Sequence, residues 1–97
     1  MYLNYGYRGM KLKVKGLIIK NPKTRKQTDY EGDFNESGMN TNIPEETMTK
    51  LNLKVGDSVV FEFRGNKIST SIGPNGRVGI TRPELRNLGF MEHQKTQ

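Results

Sequence analysis

The 97-residue sequence predicts a single domain that is mostly β with two short helices. Alanine, the strongest helix former, is absent, whereas valine and isoleucine, which favour strands, together number 11. A chain of this length buries only about 60 to 70% of its unfolded surface, which leaves no room for a second core. We therefore expect one domain over residues 1–97, with an amino-terminal arm over residues 1–9 and a polar tail over residues 91–97.

The first predicted strand begins as a strict alternation of apolar residues and lysines over residues 10–15. Gly16 interrupts this period, and the next three residues, 17–19, are apolar on both faces. The pattern predicts a bulge at Gly16 and a fully covered continuation of the strand. Residues 21–27 are rich in turn formers and strongly basic, so they predict a solvated loop.

Residues 29–36 alternate acidic residues with Tyr30 and Phe34. A calcium loop of the EF-hand type is excluded, because it would need glycine at Phe34 and glutamate at Asn40. We interpret the segment as an irregular edge strand whose aromatic side chains point inward.

A first helix is predicted near residues 44–52, after a short strand that runs into Pro44. Proline suits the first turn of a helix, and Glu45 and Glu46 are favourable at the positive end of the helix dipole. A turn at residues 54–57 and an alternating strand over residues 58–64 follow. A two-residue hairpin at residues 65–66 then leads into a strand over residues 67–72.

A second helix is predicted near residues 82–89, because Thr81 and Glu84 have the spacing of a capping box. Residues 73–76 before it read as a hairpin turn between strands. Residues 76–90 also align with residues 39–53 at a constant offset of 37, so each copy places a strand before a short helix.

The predicted core consists of the apolar residues that fall on one face of these elements. They are Val14, Leu17, Ile19, Ile43, Met48, Leu51, Val59, Phe61, Ile72, Ile80, Leu85 and Leu88.

Several chemistries are excluded by composition. The chain has no cysteine and one histidine, so thiol nucleophiles, zinc-thiolate clusters and histidine-rich metal sites are ruled out. Lys67 and the hydroxyl residues 69–71 are explained by strand alternation, and residues 73–76 lack the lysine of a phosphate-binding loop. We expect a non-enzymatic protein with no metal and no cofactor. No apolar run is long enough to cross a bilayer and no secretory signal is evident, so we expect a cytoplasmic protein that does not contact a membrane.

Charge is unevenly distributed along the chain. Residues 1–27 carry eight basic and no acidic residues, residues 28–62 carry two basic and eight acidic, and residues 63–97 carry six basic and two acidic, for a net charge of +6. A basic block of this kind is typical of a surface that binds a polyanion, although the acidic segment could instead fold against it and neutralise it.

Three short motifs occur in order before the alternating strand: Ile43-Pro44-Glu45, Leu51-Asn52-Leu53 and Gly56-Asp57. This order resembles the core of AbrB/SpoVT-type DNA-binding domains and, more broadly, of the cradle-loop barrels. Residues 16–20 resemble the first strand of that family, and the resemblance covers about residues 12–72. It implies a small cradle-loop-type barrel in which Gly56 and Asp57 form a structural turn. Because the second copy lacks a strand after its helix, either a partner chain or the amino-terminal arm would complete the barrel.

The resemblance also implies a DNA-binding transcriptional regulator that forms homodimers and contacts duplex DNA mainly through phosphates. We expect the basic loop to bind phosphates, and arginines of the second copy to bind base edges or further phosphates. The expected nucleic-acid contacts are Lys20, Lys23, Arg25, Lys26, Arg77, Arg82 and Arg86. The alternative is a non-enzymatic protein-binding module that docks on a host protein and modulates it.

Overall fold

A computed structural model of the chain describes residues 12–35 and 38–89. The predicted arm over residues 1–9 and the predicted tail over residues 91–97 lie outside the described residues. The described part contains six strands and two α-helices, which confirms a mostly β chain with two short helices. In chain order they are β1 (Leu12–Lys20), β2 (Gln27–Asn35), β3 (Gly38–Asn42), α1 (Glu45–Lys50), β4 (Ser58–Phe63), β5 (Asn66–Ser71), β6 (Arg77–Ile80) and α2 (Arg82–Asn87).

The six strands form one antiparallel sheet in the order β5-β4-β1-β2-β3-β6. Strands β5 and β6 are therefore its two edges, although only residues 72–76 separate them in the chain. The sheet must curl to bring these edges together, and the Gly73 amide donates to the Arg77 carbonyl oxygen (2.8 Å) across the short connection. Within the described residues no ladder joins β5 to β6, so the sheet is not a closed barrel.

Strand β1 has the bulge that the sequence predicts. Its pairing with β2 shifts register between Val14 and Leu17, and Gly16 between them has a φ of 86°. Beyond the bulge, Leu17 and Ile19 are buried. Ile18 is only half-buried, so the prediction that this stretch is fully covered on both faces was wrong. The outer face of the sheet lies open to solvent at this point.

Strand β2 is an interior strand and not the predicted edge strand, because it pairs with β1 on one side and with β3 on the other. A short turn after β1 allows β2 to return beside it, and the register places Asp33 opposite Lys13. Tyr30 packs against the core as predicted, with its ring edge toward Phe61 at a centroid distance of 5.7 Å. The inward orientation predicted for the Phe34 side chain lies outside the described residues.

Two turns differ from the sequence prediction. Phe63 pairs with Asn66, so the hairpin turn is Arg64–Gly65 and not residues 65–66. Arg64 and Gly65 have φ values of 50° and 89°, and the tight turns that match strand twist require such positive φ angles. The connection at residues 73–76 contains a 3₁₀ turn between unpaired strands, so it is not a hairpin turn.

The internal duplication is visible in the fold. The helices coincide at the offset of 37 residues, since α1 spans Glu45–Lys50 and α2 spans Arg82–Asn87. In the ladder between β3 and β6, the equivalent residues Thr41 and Val78 pair with each other. This register is expected for an approximate two-fold axis that passes through the pair and relates the two copies.

The same two-fold relation identifies the strand that occupies the position of β4 relative to the second copy. In the first copy, β4 follows α1 and lies two places from β2 in the sheet. In the second copy, β5 corresponds to β2. The strand that lies two places from β5 in the sheet is β1. One chain thus fills this position with a strand that precedes both copies, and the sheet order needs no partner strand there.

The core lies between the curled sheet and the two helices. Most predicted core residues are buried: Leu17, Ile19, Ile43, Leu51, Val59, Phe61, Ile72, Ile80, Leu85 and Leu88. Met48 is only half-buried, because it borders a surface groove beside α1. The Val14 side chain lies outside the described residues. The sequence prediction missed four buried residues: Met39, Leu53, Phe63 and Val78.

Candidate polyanion-binding site

The connection between β1 and β2 is a compact six-residue turn, residues 21–26, which we call the basic turn. Lys23, Arg25 and Lys26 are exposed on it, and Lys20, the last residue of β1, is half-buried beside it. The backbone closes on itself, because the Arg25 amide donates to the Asn21 carbonyl oxygen (2.7 Å) and the Asn21 amide donates to the Lys26 carbonyl oxygen (2.9 Å). The predicted solvated loop is therefore exposed but ordered by its own hydrogen bonds.

Asn21 fastens the basic turn to helix α1. Its side chain is only 3% exposed, and its Nδ2 donates to the carbonyl oxygens of Leu51 (2.8 Å) and Asn52 (3.2 Å) at the end of that helix. Its Oδ1 accepts from the Lys23 amide (2.9 Å), the pattern of an Asx turn. Buried polar groups of this kind hold a segment in place, because their hydrogen bonds are costly to leave unmade.

The charges of the basic turn are available to a ligand. None of Lys23, Arg25 and Lys26 forms an ion pair with a carboxylate of the described residues. Strand β2 pairs with β1 along its length, with Gln27 opposite Lys20 and the acidic Asp29 opposite Ile18. The basic turn lies beyond these paired residues.

The end of α1 contributes to the electrostatics beside the basic turn. The carbonyl groups at the end of a helix carry partial negative charge, which would disfavour an anion placed there. The Asn21 amide group covers two of these oxygens, and Lys50 lies in the last turn of the helix. The Lys50 ammonium donates to Thr28 Oγ1 (3.3 Å), so it also ties α1 to the first part of β2.

Two of the arginines predicted to contact DNA from the second copy, Arg82 and Arg86, do not join the basic turn. Arg77 is exposed at the start of β6, and Arg82 and Arg86 are exposed on α2. Strands β1 and β4 are antiparallel, with Lys20 opposite Val60, so the turn that follows β1 and the turn that follows β4 leave this strand pair at opposite ends. Helix α2 is attached to the second of these turns. Arg82 and Arg86 therefore lie apart from the basic turn.

The attachment of α2 repeats that of α1. Asn66 Nδ2 donates to the Leu88 carbonyl oxygen (3.3 Å), and Leu88 is the duplication equivalent of Leu51. An asparagine at a strand turn thus binds the carbonyl at the end of each helix. The distance in sequence between each asparagine and its helix explains why sequence analysis found neither contact.

The turn at Gly56 and Asp57 has a structural role. Asp57 Oδ2 accepts from the Lys54 amide (2.9 Å), and the Asp57 amide donates to the Lys54 carbonyl oxygen (3.0 Å). Gly56 has a φ of 94°, which glycine adopts without strain, and its amide donates to the Ile72 carbonyl oxygen (2.7 Å). The Asp57 carboxylate thus joins the two ends of this turn through the Lys54 amide.

Comparisons with known proteins identify no relative: no family model, curated protein or solved structure matches this chain. Within residues 12–35 and 38–89, no group of three or more metal-binding side chains comes together. No helix in that part of the chain has the length and apolar character needed to cross a membrane.

Proposed function

We propose that this chain is a cytoplasmic, non-enzymatic DNA-binding regulator of the AbrB type, which holds duplex DNA mainly by its phosphates. The observation that carries the proposal is the basic turn, in which a buried asparagine fixes the backbone under three exposed cations. Cations that bind phosphates release condensed counterions, which gives affinity without dependence on sequence. A turn that is already ordered loses less conformational entropy when it binds.

We further propose that the curled sheet is a cradle-loop-type barrel. Support comes from the two strand-helix copies at an offset of 37 residues, the two-fold pairing of β3 with β6, and the short connection that brings the two sheet edges together. The turn at Gly56 and Asp57 between α1 and β4 is the motif on which the family resemblance rests most.

Replacing Lys23, Arg25 and Lys26 together by alanine is expected to weaken binding to all duplex sequences to a similar extent. The slope of log K against log salt should fall in magnitude by up to about 3, if each side chain neutralises one phosphate. Gel-shift titrations at several salt concentrations measure this slope. Lys67→Ala is the control, because Lys67 is exposed on β5 opposite Glu62 and away from the basic turn. Equal affinity of the triple variant and the parent at low salt would contradict the proposal.

Self-association is the second expectation. Strand β1 fills the missing strand position within one chain, so a partner is not needed there. The edges of β5 and β6 nevertheless have no ladder partner among the described residues, and unpaired strand edges favour addition of another strand. We expect a dimer at micromolar concentration in sedimentation velocity. A monomer under these conditions would remove the argument for a dimer and weaken the assignment to the AbrB type.

A protein-binding module remains the second candidate function because of one groove with a mixed apolar and polar lining. The groove lies between α1 and the 3₁₀ turn, has a volume of about 440 Å³, and includes Ile43, Met48 and Leu53. Val55 at its border is 58% exposed. Salt-insensitive binding to a protein, with no retention on duplex DNA, would favour this candidate over DNA binding.

A further inference from the structure

Helix α2 and the β4–β5 turn together carry a second cationic surface. Arg64 in the turn and Arg82 and Arg86 on the helix are all exposed, and we call these three residues the α2 surface. Arg82 and Arg86 are four residues apart, so they lie on the same face of the helix. The Asn66 side chain joins the turn to the end of the helix through the Leu88 carbonyl oxygen (3.3 Å).

The β4–β5 turn of the α2 surface is the two-fold equivalent of the basic turn. In each case an asparagine connects the strand turn to the end of a short helix: Asn21 to Leu51 and Asn66 to Leu88. Arg82 and Arg86 are particular to the second copy, because the first copy has Glu45 and Thr49 at the corresponding positions. The two leucines are 37 residues apart, which is the offset of the duplication. The basic turn carries three exposed cations, and the α2 surface carries the same number.

The arginines of the α2 surface are not neutralised by described residues. Glu84 lies between Arg82 and Arg86 in sequence, but its Oε1 accepts from the Thr81 amide (2.9 Å) and the Thr81 hydroxyl (3.0 Å) in the capping box. The Arg64 guanidinium lies over the Phe63 ring at 5.2 Å, which limits its orientation and leaves its N–H groups for another acceptor. Arginine forks bind phosphate oxygens in pairs, so phosphate is the ligand chemistry that this surface fits.

The two surfaces lie at opposite ends of the β1–β4 pair, as the pairing of Lys20 with Val60 and of Leu17 with Phe63 requires. We propose that the chain has two phosphate-binding surfaces, the basic turn and the α2 surface, and that one chain bridges two DNA duplexes. This inference rests on the proposed function, because the second surface is assigned the same ligand as the first. It goes further, because two separate surfaces would hold two DNA duplexes per chain, whereas one continuous site would hold one duplex.

A capture assay tests whether one chain bridges two DNA duplexes. A biotinylated duplex is immobilised on beads, the chain is added, and a fluorescent second duplex of unrelated sequence is washed over it at low salt. The chain is used below the concentration at which sedimentation velocity shows a dimer, so that a bridge requires both surfaces of one chain. Under these conditions we expect capture by the parent and a loss of at least about tenfold in capture for K23Q/R25Q/K26Q and for R64Q/R82Q/R86Q. Each variant should bind a single duplex more weakly than the parent in a gel shift, through the surface that it retains. Each loses three positive charges, so each is the charge-matched control for the other. R82Q/R86Q, which leaves Arg64 on Phe63, is the second variant if the triple replacement impairs folding.

The possible results distinguish a failure of the proposed bridge from a failure of the proposed DNA binding. If the parent binds no duplex at all, the proposed function fails. If the parent binds one duplex but captures no second one, the proposed function stands and the bridge is overturned. If R64Q/R82Q/R86Q still captures the second duplex while K23Q/R25Q/K26Q does not, two basic turns of a dimer make the bridge, and the α2 surface is not a second site.

Discussion

Phe61→Ala is expected to lower the free energy of unfolding by about 3 to 5 kcal/mol, a large share of the stability of a domain of this size. Phe61 has no exposed surface and lies on the inner face of β4, where it pairs with Ile19 of β1 and Ile68 of β5. Its ring also meets the edge of the Tyr30 ring. Because strands from both sides contact this side chain, the cavity left by alanine cannot be filled by a shift of one neighbour.

Urea unfolding monitored by tyrosine fluorescence or circular dichroism measures this loss. Val60→Ala is the matched control, since Val60 is the next residue on the same strand but points to the outer face and is only half-buried. We expect the control to lose less than about 1.5 kcal/mol. A loss below about 1 kcal/mol for Phe61→Ala would show that the inner face of β4 has been assigned incorrectly.

The elements that sequence analysis predicted correctly depend on short-range signals. The capping box of Thr81 and Glu84 begins α2 where expected, because both of its hydrogen bonds lie within one helical turn. The positive φ of Gly16 produces a bulge that an interrupted alternation can reveal. The offset of 37 residues also survives in the structure, since both helices keep the same length.

The incorrect predictions depend on long-range pairing. Whether β2 is an edge or an interior strand is decided by β3, which pairs with it only through Phe34 and Asn35. The hairpin turn lies one residue earlier than predicted, because Arg64 as well as Gly65 adopts a positive φ. Arginine seldom adopts this conformation, so no local rule selects it.

The candidate site likewise has features that short-range signals predict and features that depend on long-range pairing. The basic turn is continuous in sequence, so its charges could be found from composition alone. Its separation from Arg82 and Arg86 follows only from the antiparallel pairing of β1 with β4. The contact between Asn21 and Leu51 spans 30 residues, and an asparagine before a proline signals a turn without indicating its partner.

Asn21→Ala is expected to lower both stability and DNA affinity. The substitution removes the donor to the Leu51 and Asn52 carbonyl oxygens and the acceptor of the Lys23 amide. Leaving a buried acceptor without a partner costs about 1 to 3 kcal/mol of stability. The basic turn also loses its attachment to α1 and must be ordered again on binding, at about 1 to 2 kcal/mol for each residue that is immobilised. We therefore expect about tenfold weaker duplex binding, equivalent to about 1.4 kcal/mol.

The salt dependence distinguishes this effect from a loss of charge. Asn21→Ala leaves Lys23, Arg25 and Lys26 in place, so the number of phosphates neutralised, and with it the slope of log K against log salt, should stay unchanged. Asn66→Ala is the control, because it removes the equivalent contact of α2 without altering the basic turn. Both asparagine variants are best compared in the R64Q/R82Q/R86Q background, where only the basic turn can bind DNA. If Asn21→Ala is less stable but binds duplex DNA as tightly as its parent, the turn's internal hydrogen bonds are sufficient to order it, and Asn21 only attaches it to α1.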